Sequence, residues 1–104
     1  MGADEDSAAA WQRQLADLWQ RRRPVIMGRI ENLEALAATE SPGAEAIEEG
    51  RVEAHKLRGL LGTIGLPAGS DAAGEVEDRL AEGDTEIGEP LARLATLVRE
   101  HQSA

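Results

Sequence analysis

Ala54-His55-Lys56-Leu57-Arg58-Gly59-Leu60-Leu61-Gly62-Thr63-Ile64-Gly65-Leu66 is the stretch that decides how this chain is read. With Ile47 upstream, its residues Ala54, Leu57, Leu61 and Ile64 recur at steps of three, four and seven, which gathers them on one side of a helix. At about 100° per residue, His55 projects roughly a third of a turn from the centre of that side and is expected at the surface. Gly59 and Gly62 follow on the face His55 shares, with Glu48, Arg51 and Val52 a turn before. Glycine inside a helix costs roughly 1 kcal/mol relative to alanine. Two of them beside an exposed histidine point to a cleared approach.

Outward from this stretch the chain reads as helical throughout. Ala, Leu, Glu and Arg dominate its 104 residues, β-branched residues are sparse, and Trp11 and Trp19 are the only aromatics. Pro24, Pro42, Pro67 and Pro90 each stand at the start of an apolar-periodic segment, where a missing N–H costs least. Five helices are predicted, at about 8–22, 24–39, 43–64, 67–82 and 86–101, with Ser41 as the N-cap of the third. Their stripes are Trp11, Leu15, Leu18 and Trp19; then Ile26, Ile30, Leu33 and Leu36–Ala37. The third helix carries the stripe described above. Ala72, Val76 and Leu80 follow, and Leu91, Leu94, Leu97 and Val98 close the series. The expected fold is all-α: an antiparallel up-down four-helix bundle, with the first helix lying across it as an N-terminal cap held by both tryptophans. Residues 1–104 form a single domain in this reading, with 1–7 as a flexible tail.

Composition removes several classes of function. A net charge of −9 argues against nucleic acid, and the short block Arg21-Arg22-Arg23 reads as a solvated helix end. With no cysteine and only His55 and His101 as imidazoles, no metal-ligand cluster is in sight. His101 reads as a solvated residue of a fraying helix end. No apolar run approaches the roughly 20 residues of a membrane span, so no membrane role and a cytoplasmic setting are expected.

His55 has chemistry to offer. A neutral imidazole is a nucleophile near physiological pH, and Arg58, one turn on, can meet the spread negative charge of a phosphoryl group. Val52 and the edge of Leu60 would add apolar docking contacts, and Arg51 and Lys56 flank the same surface.

Those residues resemble the signature of histidine-containing phosphotransfer (HPt) domains. His55-Lys56-Leu57-Arg58-Gly59 followed by Gly62-Thr63-Ile64-Gly65-Leu66 is especially similar to the phosphotransfer domain of chemotaxis histidine kinases. The similarity is strong over about 51–83; elsewhere only the helical layout agrees. It implies that His55 is the phosphorylated residue and Arg58, in place of the usual lysine, contacts the phosphoryl group. It also implies that Gly59 admits a receiver domain and that Glu77 hydrogen-bonds the imidazole. A second histidine of the chemotaxis domains has no counterpart, since Gly74 stands there, and Leu60 and Leu61 replace small residues. The implied role is that of a phosphocarrier rather than an autonomous enzyme. It would act as a monomer, exchanging phosphate with the aspartate of a response-regulator receiver or taking it from a histidine kinase. No cofactor of its own is implied, Mg²⁺ belonging to the receiver. The alternatives are a docking module of the same fold that never accepts phosphate, or a structural bundle. The resemblance also favours a piece of a larger signalling chain.

Overall fold

Trp19, Ile26, Ile30, Leu33 and Leu36 are all buried, and their spacing carries one apolar stripe straight through Pro24. In the computed structural model, which describes residues 3–101, this stripe belongs to a single helix, α1 (Ala3–Ala38). The separate N-terminal capping helix expected over residues 8–22 is therefore absent, and the expected boundary at Pro24 is overturned. Proline inside a helix costs about 3 kcal/mol. Burying Trp19 and Ile26 on either side returns roughly 1.5–3 kcal/mol each. Pro24 itself is exposed, so its ring and missing donor face water and not the core.

Three further helices follow: α2 (Ala44–Thr63), α3 (Pro67–Ala81) and α4 (Gly88–Glu100). Their limits lie within two residues of those read from the sequence. Pro67 holds the first position of α3, as its fixed φ favours, and Pro90 is buried in the first turn of α4. Ser41 is not a cap; Gly43 precedes α2 with extended backbone (φ −75°, ψ 168°) and no side-chain cap bond. Two glycines end helices in the left-handed region. At Gly65 (φ 86°) the Leu66 N–H donates to the Leu61 carbonyl at 2.9 Å. At Gly83 (φ 79°) the Asp84 N–H donates to the Arg79 carbonyl, also at 2.9 Å. Both are Schellman closures, and they turn the chain sharply into the next element.

The described residues form an all-helical bundle with no strand. α1 packs on α2 and α4, and α3 on α2 and α4, closing a ring around Ile30, Leu33, Leu57, Leu61, Val76 and Leu94. Ile87, outside every predicted stripe, is fully buried as well, whereas Ala37 is exposed. A side chain at Gly50 would collide with Leu36, so this glycine sets how closely α1 and α2 approach. Across the same interface Arg29 donates to Glu53 at 2.8 Å and Asn32 to Glu53 at 3.1 Å.

Several expectations at the start of the chain change. Of the tail expected over 1–7, residues 3–7 belong to α1, and 1–2 lie outside the described residues. Trp19 packs as expected, but Trp11 is 61% exposed. Arg21-Arg22-Arg23 lies inside α1 rather than at a helix end, with Arg23 over the Trp19 ring and donating to the Val98 carbonyl at 3.4 Å. His101 caps the C-terminus of α4 and stands edge-on to Trp19, ring centroids 4.6 Å apart, so it is not a free solvated residue.

Candidate functional site

The site is built on the facing sides of α2 and α3. Ala54, Leu57 and Leu61 anchor α2 in the core, which turns His55, Arg58, Gly59 and Gly62 outward. Ala73, Val76 and Leu80 anchor α3 and bring Glu77 to the edge of the interface, where its side chain is only 13% exposed. His55 stays 68% exposed across from it.

Glu77 gathers three cationic or basic side chains from α2. His55 Nδ1 lies 2.8 Å from Glu77 Oε2, Arg58 Nη1 donates to Oε1 at 3.4 Å, and Arg51 Nη1 stands 3.8 Å from Oε2. A carboxylate only accepts, so the short contact places the ring proton on Nδ1 and leaves the Nε2 lone pair free. Arg51 is shared: its guanidinium holds Glu48 by two hydrogen bonds of 2.8 and 2.7 Å. Those bonds keep the Glu48 carboxyl below the usual carboxylate range and push Arg51 upward in turn.

Arg58 owes its position to a glycine. A Cβ on Gly74 would lie 3.2 Å from Arg58 Nε, 3.3 Å from Cδ and 3.4 Å from Cζ. The guanidinium therefore lies across bare α3 backbone to reach Glu77. Below it, Ser70 Oγ donates to the Arg58 carbonyl at 2.7 Å, and Thr63 Oγ1 to the Gly59 carbonyl at 2.9 Å. Together His55, Arg58, Gly59, Gly62, Thr63 and Ser70 line an open depression. No atom comes within 4 Å of a Cβ built on Gly59, so its face is bare, while at Gly62 Ser70 Oγ is 3.5 Å away.

Most of the expected residues meet here, but not all. His55, Arg58, Glu77, Gly59 and Gly62 are brought together, and Arg51 reaches the carboxylate itself rather than only flanking the surface. Lys56 and Leu60 face a neighbouring groove against α1, beside Leu18, Arg22 and Arg29. Val52 is half-buried in a different groove with Asn32, Leu36 and Glu49, away from the histidine. Sequence reading missed Ser70, Thr63 and the work of Gly74. The one available signal was a glycine on α3 three residues before Glu77, in a helix that gains nothing from it locally.

Among the described residues no group of His, Asp and Glu is arranged to hold a metal ion, and no helix is long and apolar enough to cross a membrane. Residues 17–104 match the family model described as Hpt domain. No curated protein and no solved structure matches the chain.

Proposed function

The chain belongs to the Hpt domain family, and on that premise we propose that it carries a phosphoryl group on His55, to or from the aspartate of a response-regulator receiver domain. Histidine phosphotransfer in phosphorelays is the family's activity. The assignment to His55, Arg58 and Glu77 rests on one observation above all. His55 Nδ1 is held at 2.8 Å by a nearly buried carboxylate while the rest of the ring is exposed beside Arg58 and the bare face of Gly59.

In this reading the Nε2 lone pair attacks phosphorus of a receiver aspartyl phosphate. The P–N bond forms as the P–O bond to the aspartate breaks, and the carboxylate leaves with the electron pair. The imidazole gains positive charge, which Glu77 balances through the Nδ1–H bond. Arg58, exposed and reaching Glu77 only at 3.4 Å, can turn its guanidinium to the phosphoryl oxygens. The reverse sequence returns phosphate to a receiver, and a histidine kinase is the other donor we propose. Mg²⁺ would be held by the receiver. The docking face is the depression around His55 and Gly59 with Arg51, Lys56, Leu60 and Gly62 at its margin; Val52, turned toward α1, drops to its periphery. The proposed setting is the cytoplasm. For the bundle we propose the antiparallel up-down order, which short connections between consecutively packed helices support.

The test is incubation with a receiver charged from labelled acetyl phosphate. Acid-labile label is expected on the wild type and absent from His55→Gln; Arg58→Ala should label more slowly with its fold intact. No label on the wild type would leave a docking module of the same fold, and full labelling of His55→Gln would remove the assigned acceptor.

A further inference from the structure

Helix α1 outruns the bundle it belongs to. Its 36 residues span roughly 54 Å at about 1.5 Å each, against roughly 30 Å for the 20 residues of α2. The molecule is accordingly 59 Å long and 20 Å across. Leu18 and Trp19 are the first residues of α1 packed into the core: Leu18 shares a groove with Leu60 and Ile64, and Trp19 meets His101. Before that point Leu15 is half-exposed and Trp11 is 61% exposed. Ala8, Trp11, Leu15 and Leu18 follow one another at steps of three and four, so they form one apolar face, and among the described residues none of Ala8, Trp11 and Leu15 belongs to the core. A lone helical stretch of this length is marginal in water, and a partner for that face would stabilise it.

The face is its own complement. A two-fold axis that pairs residues whose numbers sum to 26 sets Trp11 against Leu15, Ala8 against Leu18 and position 4 against position 22. Charge follows the same symmetry: the sequence is acidic at Asp4-Glu5-Asp6 and basic at Arg21-Arg22-Arg23. Where the face enters the bundle, Arg22 and Lys56 line the groove beside Leu18 and Leu60, and neither has an ion pair among the described residues. A parallel pair would instead set acid against acid and Arg22 against Arg22. We propose that two copies of this chain associate antiparallel through the first half of α1, the acidic start of each lying along the Arg22–Lys56 groove of the other. Such a contact is isologous and closes at two. It stands in place of the monomer expected from sequence. Its test, the oligomeric state, does not depend on phosphotransfer, although Lys56, Gly59 and Leu60 line both this groove and the docking face proposed above.

Sedimentation equilibrium of the full chain over a concentration series is expected to give a monomer–dimer equilibrium. Trp11→Glu should sediment as a monomer with its far-ultraviolet helix signal retained, and Arg22→Glu should weaken association at least tenfold. The chain has no cysteine, so engineered thiols report register cleanly. Mixing Ala8→Cys with Leu18→Cys chains under mild oxidation should yield the mixed disulfide. A wild type that stays monomeric at every concentration overturns the proposal. So does a dimer that survives Trp11→Glu, and self-cross-linking of Ala8→Cys alone would overturn the antiparallel register.

Discussion

Replacing Gly74 by alanine separates stability from function at one position. The new Cβ would stand 3.2–3.4 Å from three atoms of Arg58, all in a flexible side chain that is 54% exposed. The guanidinium can therefore yield without moving backbone. What is lost is an exposed 3.4 Å ion pair with Glu77, worth at most about 1 kcal/mol. What is gained is the difference between glycine and alanine in a helix interior, also about 1 kcal/mol. The net effect on stability lies between zero and roughly 1 kcal/mol in favour of the variant. Thermal denaturation should show a midpoint unchanged or raised by up to about 4–8 °C for a domain of this size. Phosphotransfer should move the other way. A displaced Arg58 must be ordered again at the phosphoryl group, at about 0.5–1.5 kcal/mol for an immobilised long side chain. That corresponds to roughly two- to tenfold slower transfer from a labelled receiver. A midpoint lowered by several degrees would mean that the neighbour at Gly74 cannot give way. An unchanged transfer rate would mean that the resting place of Arg58 is irrelevant to the reaction.

Other positions give results of contrasting sign. Gly50→Ala is expected to destabilise by about 1–3 kcal/mol in chemical denaturation, because its Cβ runs into buried Leu36 with Leu80 at 3.3 Å; a neutral result would refute the close approach of α1 and α2. Glu77→Gln replaces a charge-assisted bond to His55, worth about 1.5–3 kcal/mol, and should slow transfer roughly 10- to 100-fold with a native circular dichroism spectrum. A Cβ at Gly59 meets no neighbouring atom within 4 Å, so Gly59→Leu should be as stable as the wild type or up to about 1 kcal/mol more so, while receiver binding, followed by calorimetry, is lost. Pro24→Ala, on the exposed side of a continuous helix, should raise stability by up to about 3 kcal/mol, and a loss would show that the proline shapes α1 in a way its packing does not reveal.

Local chemistry made much of this legible in advance. The limits of α2, α3 and α4 follow from apolar periodicity and from Pro67, and the outward face of His55 follows from its angle to Leu57 and Leu61. Where the reading failed, the deciding contacts were distant. Pro24 is a strong local break, yet Trp19 and Ile26 are buried in a core that α2, α3 and α4 complete, and that packing outweighs it. Trp11 fits the same helical stripe as Trp19; only the reach of the other helices leaves one bare and the other covered.

An all-helical chain, a histidine standing clear of the core, a cation one turn away and glycines that open the approach are all written in the order of the residues. The first follows from the composition of all 104 residues, and the rest are properties of helical pitch and side-chain size that can be read from the 13 consecutive residues Ala54 to Leu66. Tertiary structure decided the rest. It brought Glu77 to His55 across 22 residues, laid Arg58 over Gly74, drew Arg51 to the same carboxylate and sent Val52 to another groove. Such contacts depend on how α3 is rotated against α2. That rotation is set by packing around Leu57, Leu61, Val76 and Leu80, which no local pattern encodes.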